Sequence, residues 1–321
     1  MATSQTNVLH AVTANVIQGM QRKGNFGGLD IAKPIEQFSL SANWPVIEID
    51  DNFGLRDNLE SRTPGGLFKQ VDANIKLDNS TVKGDGCEVS IDKSIVADSE
   101  KSGLNVLSAF GMMLMGSAHI MQENRVAALA QGAGFDSQDS GKAYTNTNKS
   151  SADVPEDIQA AIERVNGRGE RADTIVIPVA VWNRIRFFDR MKSFIAGSIN
   201  PGALVTAENL AKVFADEGIR KVIIGRGREN TAAKGKSATV APIWGTSHIW
   251  VGSTDADAET GDANSLGMAM ATFYSAEHPA PFFIENYYSD ERRSEVLRVF
   301  GETNTKIINA QAGTRIATQF A

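Results

Sequence analysis

Few side chains in this chain stand at spacings that do chemistry. His119 and Glu123 are four residues apart, which puts both on one face of a helix. A metal would need a third converging ligand, and none follows from the sequence, so a polar contact inside helix packing is expected. His10, His248 and His278 are scattered, and neither Ser247-His248 nor Ser275 with His278 forms a nucleophile elbow. Gly225-Arg226-Gly227 follows a strand-like run, as a phosphate loop would. The dinucleotide fingerprint is missing there, no helical segment follows, and the chain has no P-loop, so a surface turn is expected. Asp255, Asp257, Glu259 and Asp262 cluster without the spacing of an EF-hand, which points to a solvated loop rather than a calcium site. Arg226, Arg228, Lys234 and Lys236 form a basic loop with no interleaved aromatic, which argues against a nucleic-acid groove. Trp44, Trp182, Trp244 and Trp250 read as core residues. No enzyme activity, cofactor or metal is expected.

The bulk numbers agree with a soluble protein. The chain has 321 residues, 42% of them hydrophobic and 22% charged, enough for one large core or two ordinary ones. A net charge of -6 disfavours strong attraction to phosphate over the whole chain. Cys87 is the only cysteine, so no internal disulfide forms. The first residues lack the basic start and apolar run of a secretory signal. Residues 104–121 are long enough to raise the question of a membrane helix, but Asn105, Ser108, Ser117 and His119 interrupt them; a buried helix is expected, and no membrane.

The elements that must position these residues fall into a definite order. Residues 1–51 read as an extended arm, with Pro34 and Trp44-Pro45 favouring extended backbone and Val46, Ile47 and Ile49 a short strand. Between 51 and 86, Val71, Ala73, Ile75 and Leu77 alternate with Asp72, Asn74, Lys76 and Asp78, and Pro64-Gly65-Gly66 marks a turn. Such a hairpin has little apolar surface of its own to cover it, and a lone hairpin is marginal in water. It needs another surface to lie on. Residues 88–96 resume as strand. A long helix follows over about 99–130, roughly 45 Å at the helical rise, with its methionines at 112, 113, 115 and 121 as core filler. The polar stretch 132–152 marks a boundary.

Beyond it strands and helices alternate. Helices are expected at 155–165 with Asp153 as N-cap, at 179–191, and at 206–217 between Thr206 and Gly218. Strands are expected at 173–178, 220–225, 239–252 and 266–274. From Phe282 onward alternation returns, with Arg292 and Arg293 in a turn, and this tail is expected to pair beside the long helix.

That order resembles the tailed-bacteriophage major capsid proteins of the Hong Kong 97-type fold. WPVIEIDDNFGLRDNLESRTPGG resembles the strand entering their extended loop, and CEVSIDKSIVADSEKSG the strand leading to their spine helix. RADTIVIPVAVWNRI, VTAENLAKVF, KVIIGRGRENTAAKG and IWGTSHIWVG resemble successive parts of their axial domain, and FGETNTKIINAQAGTRI their closing strands. The likeness spans about 31–317, and its specificity lies in the order of the strings.

The resemblance implies an α+β fold: an N-terminal arm (1–51), an extended loop (52–86), a peripheral domain (87–152 and 281–321) holding the spine helix, and an axial α/β domain (153–280). It implies a homo-oligomer of hexamers and pentamers closing an icosahedral shell around phage DNA, assembled in the host cytoplasm. Portal, separate scaffold and decoration proteins are the implied partners, with DNA contacted weakly and non-specifically. Arg56, Arg62, Lys69 and Lys76 are the candidate inter-subunit contacts along the arm. Lys69, Lys76 and Lys83 lie in or beside the loop, but no asparagine partner can be matched, so crosslinking is not expected. The alternatives are an encapsulin-like nanocompartment shell and, from another class, a small-molecule α/β enzyme built on 153–280.

Overall fold

A computed structural model of the protein describes residues 26–46, 76–101, 105–198, 204–233, 235–254 and 267–320. The elements in chain order are α1 (Gly28–Ile31), β1 (Lys33–Gln37), β2 (Ser41–Val46), β3 (Lys76–Thr81), β4 (Lys83–Asp92), α2 (Lys93–Lys101) and α3 (Val106–Gln131). Next come β5 (Asp136–Asp139), α4 (Val154–Asn166), β6 (Thr174–Pro178), α5 (Val179–Ile185), α6 (Asp189–Ser198) and α7 (Ala207–Val213). The chain continues through β7 (Lys221–Gly225), β8 (Arg228–Asn230), β9 (Val240–Pro242), β10 (His248–Gly252) and β11 (Met270–Ser275). β12 (Phe283–Ser289), β13 (Ser294–Ile307) and β14 (Gly313–Ala317) complete it.

Two five-stranded sheets carry the fold. In the first, the order is β1-β11-β13-β12, with β4 also paired to β13. β13 is the hub: it runs antiparallel to β4, β11 and β12, and the tail does return to pair with the first half of the chain. The spine helix α3 packs on this sheet, where Met115, Ala118, Ile284, Leu297 and Val299 share a buried cluster. In the second sheet the order is β5-β14-β10-β6-β7. Its β6 is buried on both faces, as the run TIVIP requires. α4 covers that sheet with Ile158, Ala161, Ile162 and Val165, all fully buried at helical spacing. Each large side chain among them contributes about 1.5–3 kcal/mol on burial.

Several expected boundaries shift. The strand from Glu88 stops at Asp92, whose side chain accepts the Ser94 N–H (2.8 Å) and so starts α2; residues 93–96 are helical rather than extended. The spine begins at Val106, not Ser99, because Asn105 caps a new helix by accepting the Ser108 N–H at 2.9 Å. Met115 is core, but Met112 and Met113 are 38% and 68% exposed, so only part of the methionine set fills the interior. The 179–191 helix divides at Arg186–Phe188, where Phe188 turns into the core. The 206–217 helix has its expected Thr206 cap, tightens into a 3-10 turn, and stops at Gly218, whose φ of 105° suits glycine. The 239–252 strand splits into β9 and β10, with Trp244 buried between them.

Sheet membership also crosses the expected segments. β11, within 153–280, belongs to the first sheet, and β14, within 281–321, belongs to the second. Residues 83–86 lie in β4 and pair with β13. Among the described residues no helix is long and apolar enough to cross a membrane.

Candidate assembly surface

The base of the arm is built by β1, the bend at residues 38–40, and the ribbon of β2 and β3. Among the described residues these two strands pair only with each other, Ser41 opposite Thr81 and Val46 opposite Lys76. The sequence explains the isolation: the described face carries Ser41, Asn43, Asn79 and Thr81, which hydrogen-bond among themselves at 2.7–3.4 Å rather than burying apolar area. The ribbon is tied to the body at a few points. Val82 N–H donates to Leu40 O (3.0 Å), Gln37 Nε2 donates to Ser80 O (3.1 Å), and Lys306 Nζ pairs with Asp78 at 2.6 Å. The Lys306 hydrogen bond and charge hold the Asp78 carboxyl below the usual carboxylate range. At the same base Phe38 is 93% exposed and Leu40 60% exposed.

A second feature fixes where this base sits on the spine. Glu123 is 1% exposed at the centre of α3. Its Oε2 accepts the backbone N–H groups of Gly27 (2.9 Å) and Gly28 (2.6 Å), and its Oε1 accepts the Trp244 indole N–H. One carboxylate thereby joins the N-terminal segment, the spine and the link between β9 and β10. Burial pushes its pKa up, against the opposing pull of those three donors. One turn earlier, His119 is buried, stacks on Phe26 at 6.0 Å, and is held below the usual imidazole value by burial. Of the pair, Glu123 makes the polar contacts, while the His119 Nε2 is buried without a hydrogen-bond partner and the ring packs on Phe26 instead. Among the described residues no three His, Cys, Asp or Glu side chains converge as metal ligands.

The remaining exposed apolar side chains include Ile95 on α2, Met112 and Met113 on α3, and Tyr287 and Tyr288 on β12. Beside the tyrosines, Glu88 accepts from Arg292 (3.1 Å) and Arg298 (3.0 Å), both of which draw its pKa down.

Of the sequence-predicted contact residues, Arg56, Arg62 and Lys69 lie outside the described residues, as do Trp44's side chain, Lys234 and the acidic cluster at 255–262. Lys76 opens β3, opposite Val46 of β2. The basic loop is a short hairpin, β8 on β9. Gly225 of the supposed phosphate turn is buried, not at the surface: a Cβ there would lie 2.5 Å from the Trp244 ring. Phe38 and Leu40 escaped sequence reading, although two large apolar residues inside the polar run around FSLSAN were a visible signal. Glu123's partners left no such signal, being glycines and a tryptophan about a hundred residues away.

Comparison with solved structures decides the architecture. The chain superposes on a phage-related protein from Bordetella bronchiseptica with a TM-score of 0.66 at 14% identity, covering 96% of each chain. It matches the capsid of cyanophage P-SCSP1u with a TM-score of 0.56 at 12% identity, over 91% of this chain and 87% of that one. The fold is that of a phage capsid protein. The same capsid fold extends to a virus-like particle from Pyrococcus furiosus, with a TM-score of 0.56 at 8% identity over 98% and 100% of the two chains. No protein-family model and no curated protein sequence matches the chain.

Proposed function

We propose that this chain is a major capsid protein that self-assembles into hexamers and pentamers forming an icosahedral shell around phage DNA. The observation that carries the reading is the arm base: a ribbon that, among the described residues, pairs only with itself, beside Phe38 and Leu40 held in solvent. Such side chains gain only by lying on another surface, and a specific contact would bury about 1,000 Å² or more. The likeness to capsid structures over nearly the whole chain supports the same reading. In it the second sheet with α4–α7 forms the axial domain, and the first sheet with α3 forms the peripheral domain. Arg56, Arg62, Lys69 and Lys76 remain the proposed charged contacts along the arm. Portal, scaffold and decoration proteins are the proposed partners, the location is the virion after assembly in the host cytoplasm, and the role is structural rather than enzymatic.

The test is electron microscopy of the expressed protein beside a deletion of residues 57–75, which keeps β3. Wild type should form closed shells, and the deletion should remain folded but unassembled. Shells of normal size from the deletion would overturn the role given to the arm.

The likeness to a virus-like particle favours one second reading, an encapsulin-like nanocompartment shell. Shells that carry protein cargo and no nucleic acid, from the native source, would favour it over a virion.

A further inference from the structure

The chain is acidic overall, yet one end of the second sheet is basic. β10 runs antiparallel to β6, with Gly252 opposite Thr174 and Trp250 opposite Val176, so His248 and Pro178 share one end. At that end the last residues of the chain pass beyond β14, and Phe320 lies under the Arg184 guanidinium at 3.7 Å. A groove of about 450 Å³ opens there, lined by Lys149, Asn183, Arg184, Phe187 and Phe320 among others. Phe187 is 50% exposed, with Arg186 (4.7 Å) and Lys192 (5.8 Å) against its ring. The Arg186 Nε is buried without a hydrogen-bond partner. Arg190 also belongs to this face, where Asp153 approaches it at 3.8 Å and Asp189 is engaged by Ser150. Among the described residues these five cations stand with Asp153 and Asp189, while Asp139, level with Ala317, and Asp157, bound to the Tyr144 hydroxyl, lie toward the same end.

The complementary charge is anchored at the opposite end. Residues 255–262 read DADAETGD, four carboxylates and no cation. The segment leaves from Thr254, which binds Asp173 (2.9 Å) just beyond the Gly252–Thr174 pair, and the chain returns at Ala269, whose N–H donates to Ser253 O (3.0 Å). About six residues out and six back reach roughly 20 Å at full extension. The five residues of β10 already span about 17 Å, and the groove lies past their far end. A neighbouring copy needs no such stretch.

We propose that the basic groove receives the acidic segment 255–262 of a second copy, joining subunits head to tail. The inference rests on the self-assembly reading and deepens it. A contact between unlike ends is heterologous, and when its rotation closes it makes a ring. Arg186 and Lys192 would pair with carboxylates at the rim, Phe187 would cover the segment's alanines, and the pairing would set register and encounter more than raw affinity.

The test compares the assembled fraction of the full chain by sedimentation in wild type, in Arg186→Glu with Lys192→Glu, in Asp257→Lys with Glu259→Lys, and in all four substitutions together. Each one-sided reversal should lower assembly by about tenfold or more, and the combined reversal should restore most of it, since opposite charges face each other again. Circular dichroism and melting temperature identify any variant that fails to fold, and the acidic-segment pair then carries the comparison alone. If wild type itself stays monomeric, the self-assembly reading fails. If wild type assembles and the folded one-sided variants assemble equally well, or the combined variant does not recover, only the groove assignment falls. It also falls if the groove variants assemble normally but lose bound nucleic acid.

Discussion

Glu123 Oε1 accepts the indole N–H of Trp244 at 2.5 Å across 121 residues of sequence, while its other oxygen holds Gly27 and Gly28. The root of the arm and the second sheet are thereby referred to a single carboxylate on the spine.

Replacing Glu123 by Gln keeps the volume but turns one acceptor into a donor that faces donors. The loss should be about 2–3 kcal/mol of folding stability, the range for hydrogen bonds to a charged group plus a donor left buried and unmet. Urea unfolding of the unassembled chain measures it, and a loss under about 0.5 kcal/mol would remove Glu123 from this role.

The same pair of proteins has a pH signature. Burial raises the Glu123 pKa in the folded state above the unfolded value of about 4.3. The folded protein therefore keeps this proton over a window in which the unfolded chain has released it. Glu123's contribution is complete below the unfolded value and is lost as pH rises through the folded one. The stability gap between wild type and Glu123→Gln should accordingly narrow from acid toward neutral pH. Asp78, with its pKa lowered by Lys306, acts in the opposite sense in both proteins and cancels from the difference. A gap that widens toward neutrality in urea titrations would refute the assignment.

Gly225→Ala tests the packing under Trp244. The added Cβ would lie 2.5 Å from both Cγ and Cδ1 of an indole that is itself fixed by Glu123. A rigid ring cannot yield as a long side chain would, so about 1–3 kcal/mol of destabilisation is expected. A melting temperature equal to wild type would show that the ring can move.

Phe38→Asp separates folding from assembly. At 93% exposure the ring contributes little inside the subunit, so stability should change by no more than about 0.5 kcal/mol. Sedimentation should nonetheless show fewer assembled particles if the ring is an anchor on a neighbouring surface. Unchanged assembly would remove Phe38 from the contact.

Local signals proved readable where they were self-contained. The Asp153 and Thr206 caps, the stop at Gly218, the buried run TIVIP and the return of the tail beside the spine all follow from side chains acting on nearby backbone or from strict alternation. The breaks at Asp92, Asn105 and Arg186–Phe188 were harder to read, because a cap or a turned aromatic competes there with a pattern that could equally continue.

By itself, then, the sequence determined most of the element order, the helix at α4 with its Asp153 cap and the polar character of residues 51–86, since propensity and periodicity act over a few residues, while the capsid-like plan came from the resemblance of its ordered strings. Only the tertiary structure decided that β11 joins the first sheet and β14 the second, that Glu123 meets Gly28 and Trp244, and that Phe38 stands in solvent. Those outcomes depend on which distant surfaces meet. Burial and strand pairing between remote segments set them, and no local spacing records such contacts.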